Sequence, residues 1–391
     1  MGFEHAKKVI YVNNAATTFP KPDCVIQEVN RLLKAVPFDP GRGLGGDIDV
    51  LKLCRQNLAL LIRARETNRI ILTPGATYSL NLAIYGCCWN EQKPIHVITT
   101  VLEHNSMLRP LEHLRRQGHI EVTYLPYEDA LSPDRYPKFI KPNTRIIALT
   151  ACSNVNGVMP DLTSIAEICR ERQLSLIVDA AQAAGTVTID VGELPMKSLI
   201  AFAGHKGLMG PAGTGALYVG EGFDFENFTP LIQGGTGFKS ESLTQPRQLP
   251  IYYEAGTMNL PGFAGLAAGL NFVLEKGVEH IAAHKHRLIK FLLENLKGIP
   301  YFICYPPLKE DYLAGVLCCN LINWIPNDVS DILRDSFGII CRTGLHCAPM
   351  IHTAMGMPKG SVRISVGIFN TEQDMLEVAS AIRTLALEKI S

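Results

Sequence analysis

The chain has 391 residues, 47% hydrophobic and 19% charged, which fits an ordinary globular protein with one large and one smaller domain. Lys plus Arg and Asp plus Glu both number 37 and no basic block interrupts the balance, so neither nucleic acid nor an anionic membrane surface is expected as a partner. No apolar run approaches the ~18 residues of a membrane span, and MGFEHAKKVIYVNNAATT lacks a signal-peptide core and reads as a short strand, so the expected location is cytoplasmic.

In chain order, RIILTPG (69–75) is β-like and leads into helix-like ATYSLNLAIYGCC. IHVITT (95–100) precedes NSMLRPLEHLRRQG, and RIIALTA (145–151) precedes DLTSIAEICRERQ. LSLIVDA (174–180), LIAFAG (199–204) and GALYVG (215–220) follow. Short β-rich runs between amphipathic helices predict an α/β fold, a largely parallel sheet with helices on both faces. Such sheets bind ligands at the carboxyl ends of their strands. Past residue 260 the texture changes: GLAAGLNFVLEKG and EHIAAHKHRLIKFLLENL are helices, and GVLCCNLI and SVRISVGIF are strands. In the closing helix, Thr371 and Asp374 form a capping box, and apolar residues at 375, 378, 382 and 385 make one buried face. The expected domains are 15–260, large, and 1–14 with 261–391, a smaller α+β unit.

Polar residues gather where these strands end. Thr73 to Thr77 follow the first, Glu103 and His104 the second, and Ser153, Asn154 and Asn156 the third. Asp179 and Gln182 follow the fourth, and His205 and Lys206 the fifth, inside glycine-rich FAGHKGLMGPAGTGALYV. An acid directly after LSLIV is drawn toward the interior and needs a cation. The turn PGAT ahead of a helix offers N–H groups to an anion such as phosphate. Asp179 offers a negative charge to a protonated ring nitrogen, His104 a flat ring, and Lys206 an amine for a Schiff base. Phosphate, pyridinium, aromatic face and aldehyde together describe pyridoxal phosphate. Plainer readings stand beside these: a loop lysine at 206, a helix cap at 179, a helix-start threonine at 77 and a buried histidine at 104.

YVNNAATTFPKP, EHNS, SNVNG, VDAAQAAG, AGHKGLMGPAGTGALYV, EAGTMN and RTGLHCAP occur in this order. The set, from about residue 10 to 385, resembles the class V aminotransferase-like proteins, most of all the cysteine desulfurases of the group that includes selenocysteine lyases. The resemblance implies a fold-type-I pyridoxal-phosphate enzyme with a mainly parallel seven-stranded sheet, working as a homodimer. It implies that Lys206 holds the cofactor, His104 stacks on it, Asp179 bonds its ring nitrogen and Gln182 its phenolic oxygen. Asn154 would lie near both substrate and phenolic oxygen. Ala76 and Thr77 would bind the phosphate, with His205 beside them and Thr257 reaching over from the other subunit. Arg363 would hold the substrate carboxylate as a bidentate fork, with Arg342 close by. Cys347 would accept sulfur from L-cysteine as a persulfide, leaving alanine, and pass it to an acceptor protein. Arg342, His346 and the protonated cofactor are expected to favour its thiolate.

Departures from the family pattern are specific. Ala203 stands where a serine or threonine usually bonds the phosphate, a loss of roughly 1.5–3 kcal/mol if nothing compensates. Asn13 replaces a usual aspartate, and GRGLGGDID (41–49) lacks the histidine often found after Arg42. Most of the eleven cysteines read as small buried hydrophobes in a reducing compartment, among them the adjacent pairs 87–88 and 318–319. Cys347 as an inert thiol, Arg342 as a structural ion-pair residue, and zinc at Cys341, His346, Cys347 and His352 are the competing readings. The zinc spacing matches no standard site. Selenocysteine lyase, cysteine sulfinate desulfinase and transaminase are the rival activities, and a non-catalytic scaffold is the rival of another class.

Overall fold

The computed structural model describes residues 9–35, 49–89, 91–305 and 314–388; Arg42 lies outside them. The strands are β1 (Ile10–Tyr11), β2 (Ile70–Thr73), β3 (Ile95–Thr100), β4 (Ile120–Leu125), β5 (Thr144–Thr150), β6 (Ser175–Asp179), β7 (Ser198–Ala203), β8 (Gly215–Val219), β9 (Phe302–Cys304), β10 (Val316–Leu321), β11 (Ile339–Ile340), β12 (Arg342–Gly344) and β13 (Ser361–Ser365). The helices are α1 (Asp23–Lys34), α2 (Val50–Ile62), α3 (Ala76–Cys88), α4 (Asn105–Arg116), α5 (Tyr127–Ala130), α6 (Leu162–Glu171), α7 (Leu260–Lys276), α8 (Val278–Leu296), α9 (Pro326–Phe337), α10 (Pro349–Ala354) and α11 (Glu372–Glu388). The chain divides into two compact units, 21–152 with 159–278, and 1–20 with 153–158 and 279–391.

The larger unit is built on a seven-stranded sheet of order β2-β8-β7-β6-β5-β3-β4. β8 runs antiparallel to both its neighbours and the other pairs are parallel. The six strands other than β8 therefore share one direction, and their carboxyl ends share one edge. The strands can be nearly continuous apolar runs because both faces are covered. Ile71 packs in a cluster with Leu80, Ile84, Met107 and Leu217, while Ile70 and Leu72, pointing the opposite way along the same strand, are buried as well.

β2 lies at one end of the sheet, and a buried ion pair covers its open side. Arg55 Nε donates to the Ile70 carbonyl at 3.1 Å, and Glu254 Oε1 accepts the Leu72 N–H at 2.6 Å. The two side chains join at 2.5 Å. They satisfy the edge groups that a further strand would otherwise take. The other end is β4, IEVTYL, which the sequence reading did not pick out. α7 packs against α1 and α2 in this unit, so the boundary between units falls one helix later than the change of texture at 260.

In the smaller unit β1 pairs with β11 in parallel, and β12-β13-β10-β9 form an antiparallel sheet. Its core gathers Ile10, Val12, Leu288, Leu292, Leu317, Ile364 and the inner face of α11. The expected capping box is present. Thr371 N donates to Asp374 Oδ2 at 3.0 Å, and Asp374 N to Thr371 Oγ1 at 3.2 Å. Met375, Val378, Ile382 and Leu385 are buried, as their spacing predicts.

Candidate active site

Two sets of polar residues stand out, one in each unit. In the larger unit, Lys206 follows β7 in a turn packed directly on the turn after β6. Gly185 has φ +76°, and a Cβ there would sit 2.3 Å from the Gly207 carbonyl oxygen. A Cβ on Gly207 would sit 2.2 Å from the Ala184 carbonyl oxygen. This backbone-to-backbone approach needs glycine on both sides, and it ties the loop of Asp179 and Gln182 to the loop of His205 and Lys206.

Asp179 is 4% exposed. Its Oδ1 accepts the Ala181 N–H at 2.9 Å, while no hydrogen bond to Oδ2 exists among the described residues. Burial raises its pKa, and the Ala181 N–H and the Lys206 ammonium oppose that rise. The capping reading of Asp179 thus accounts for one oxygen and leaves the other available. Gln182 is nearly buried on the same turn.

Gly75, with φ +153°, begins α3, and no side chain caps the helix. The first-turn N–H groups, including those of Ala76 and Thr77, have no intrahelical partner, and the Thr77 side chain is exposed. His104 caps α4: its Nδ1 accepts the Ser106 N–H at 3.1 Å. In the neutral ring this leaves the proton on Nε2. The Lys21 ammonium donates to the His205 carbonyl at 2.8 Å. Burial lowers the His205 pKa to about 4, helped by Lys206 and Lys21, so its ring is neutral. Thr257 is exposed. Ala203 is buried on β7 opposite Gly215, and the nearby Thr214 hydroxyl is spent on the Pro211 carbonyl at 2.7 Å, so it does not stand in for the missing one.

Glu103 stands between β3 and α4, and no sequence motif signals a role for it. It is fully buried. Its Oε1 accepts the Thr100 hydroxyl at 2.6 Å and its Oε2 has no partner. Burial pushes its pKa up to about 8; the Thr100 and Thr150 hydrogen bonds pull down and the Asp179 charge adds to the rise. At neutral pH Glu103 is therefore protonated, and Asp179 is the neighbouring group that can carry the negative charge.

In the smaller unit Arg363 lies on β13, fully buried. Nη1 donates to the Asn154 carbonyl at 2.8 Å and Nη2 to Asn13 Oδ1 at 3.2 Å, while Nε has no partner. Both partners are neutral, and no carboxylate pairs with Arg363 among the described residues. Burial, with Arg342 adding, lowers its pKa to about 9. The substitution at Asn13 now has a structural meaning: an amide stands where a carboxylate would neutralise this guanidinium. The Asn154 amide donates to the His346 carbonyl at 2.8 Å.

Cys347 is exposed, and Arg342 Nη2 lies 3.4 Å from its sulfur. Cys24 is exposed too, but its thiol is raised by burial and by Glu275 and Asp23. The expectation that His346 assists the thiolate needs correction. It is 2% exposed, and burial with the nearby Arg363 charge lowers its pKa to about 2, so the ring is neutral. The charge beside the thiol is that of Arg342. All eleven cysteines are free. Among the described residues no group of three or more His, Cys, Asp or Glu could hold a metal, and no helix is long and apolar enough to cross a membrane.

The sequence profile of the class V aminotransferases matches residues 10–378, and the chain belongs to this family. A probable cysteine desulfurase of Pyrococcus abyssi is 32% identical over 94% of this chain and 92% of that protein. A second, of Methanothermobacter thermautotrophicus, is 29% identical over 96% of this chain and 94% of its own length. Among solved structures, the apo cysteine desulfurase of Thermococcus onnurineus superposes with a TM-score of 0.87 at 29% identity, covering 97% of this chain and 95% of that one.

Proposed function

We propose that the chain is a pyridoxal-phosphate-dependent cysteine desulfurase. The observation that carries this reading is the unpaired, buried guanidinium of Arg363 in the same unit as an exposed cysteine beside Arg342. A carboxylate-bearing substrate completes the first, and a sulfur-accepting thiol explains the second. The names of the relatives point the same way.

The larger unit's residues fit the cofactor. The open Oδ2 of Asp179 suits a protonated ring nitrogen, the uncapped start of α3 at Ala76 and Thr77 suits a phosphate, and Lys206 supplies the amine. When bound, pyridoxal phosphate supplies an electron sink for charge developing at the substrate Cα. Asp179 would keep a negative charge at the ring nitrogen, aided by a Glu103 that stays neutral. His104, its ring oriented by Ser106, would offer a face, and Gln182 would offer its amide to the phenolic oxygen. His205, being neutral, adds no positive charge that would compete with the Lys206 amine. Thr257 reads as a contact to the phosphate of a second copy in a homodimer; its exposure supports this, as do exposed Leu231, Ile232, Phe238 and Leu243 in the segment before it.

Arg363 holds the substrate carboxylate and fixes its orientation. The Lys206 amine takes the Cα proton. The Cys347 thiolate attacks the substrate sulfur: the S–S bond forms, the Cβ–S bond breaks, and protonation of Cβ completes alanine. Cysteine and the enzyme thiol thus become alanine and the Cys347 persulfide, with no outside oxidant. A sulfur-acceptor protein would then take the terminal sulfur, in a reducing compartment such as the cytoplasm, where eleven free thiols persist.

The test supplies pyridoxal phosphate and compares L-cysteine, selenocysteine and cysteine sulfinate side by side. Alanine from cysteine is expected, with sulfide release lost in Cys347→Ser, and the visible absorbance of the lysine-linked cofactor lost in Lys206→Ala. Sulfide at the wild-type rate from Cys347→Ser contradicts the acceptor role. Amino transfer to pyruvate without sulfide would make the chain a transaminase.

A further inference from the structure

Three side chains of the smaller unit form a hydrogen-bonded chain that the reaction above does not use. His352 Nδ1 lies 2.9 Å from the Ala348 carbonyl oxygen, and its Nε2 lies 3.1 Å from Ser361 Oγ. His346 Nε2 approaches the same hydroxyl, also at 3.1 Å. The ring centroids are 5.3 Å apart, and all three residues are buried.

The protons on this chain can be assigned. A carbonyl only accepts, so His352 Nδ1 carries a proton and donates. Burial holds the ring neutral, which makes Nε2 a lone pair that the Ser361 O–H must fill. A hydroxyl has one proton to give, and the imidazole nitrogen is a far stronger acceptor than the Cys318 sulfur that also lies beside Ser361. Having given it to His352, Ser361 accepts from His346, whose own proton is thereby fixed on Nε2. His346 Nδ1 is left bare, and it has no partner.

His346 adjoins Cys347, and the two have φ of +48° and +58°, left-handed conformations that residues with a Cβ seldom adopt. They persist only where the surroundings over-determine them. The hydroxyl clamps the His346 ring, and the Asn154 amide clamps its carbonyl at 2.8 Å. We propose that the His352–Ser361–His346 relay is a positioning device that fixes the left-handed turn carrying Cys347 and so sets its thiol against Arg342. This rests on the reading of Cys347 as the sulfur acceptor.

Nitrogen-15 histidine spectra of the holoenzyme test the proton assignment directly. They should show His352 protonated at Nδ1 and His346 at Nε2. In kinetics, Ser361→Ala should lower kcat for sulfide release from cysteine by roughly tenfold or more, with KM and cofactor absorbance unchanged, and Ser361→Thr should restore it. A proton on His346 Nδ1 in the unaltered protein, or a wild-type kcat in Ser361→Ala, overturns the proposal. A wild-type chain inert toward cysteine would overturn the sulfur-transfer reading instead, since the histidine spectra do not depend on turnover.

Discussion

The strongest chemistry at the scale of single residues comes from charges left without partners. Arg363 has spent two of its donors on neutral oxygens and is fully buried. A buried charge without a counter-ion is costly, and a bound carboxylate relieves that cost. Arg363→Lys keeps the charge and removes the fork. We expect kcat/KM for cysteine to fall by the worth of a charged hydrogen bond, about 2 kcal/mol or some thirtyfold, and steady-state kinetics would show it. Unchanged kcat/KM would remove Arg363 from the substrate site. Glu103 presents the opposite case, a carboxyl held neutral. Its folded pKa of about 8 stands above the ordinary 4.5. The stability this gives is fully present below pH 4.5 and is lost as pH rises toward 8, because the unfolded chain ionises first. Glu103→Gln keeps an acceptor for the Thr100 hydroxyl and cannot ionise. Its melting temperature relative to wild type should therefore climb between pH 5 and pH 8. A difference that does not vary with pH would mean that Glu103 is ionised in the fold.

Among the elements, the best-read ones were those whose local signals agree. α11 carried a capping box and a periodic apolar face, and both were legible. The inner strands were legible because burial on two faces leaves long apolar runs. β4 was missed because it is an edge strand: in IEVTYL only the two end residues are fully buried, so no apolar run marks it. α7 was legible as a helix, but its partners were not, since no local pattern says that it packs on α1 and α2. The cover on the β2 edge was likewise hidden, because Arg55 and Glu254 lie 199 positions apart. Removing one partner strands a buried charge and frees the Leu72 N–H, so Glu254→Ala should destabilise the chain by about 3–5 kcal/mol. Chemical denaturation measures this, and the pair replaced together by apolar residues should recover part of the loss. A loss below about 1 kcal/mol would show that the pair does not hold the edge.

For the molecule as a whole, sequence order hides which residues share a unit. The smaller unit draws on three separated stretches, so Asn13, Asn154 and Arg363 meet although they are far apart in the chain. Motif order pointed to the residues, but not to the neutral company of Arg363 or to the burial that silences His346. Those depend on packing, which no short window contains. The central claim, that sulfur passes from cysteine to Cys347, is tested most directly by one turnover of the reconstituted enzyme with L-cysteine, followed by the peptide mass at Cys347. The account predicts a gain of one sulfur atom on that peptide, with alanine formed in equal amount. Alanine formed with Cys347 unmodified and the added sulfur on another cysteine, or on none, would contradict it.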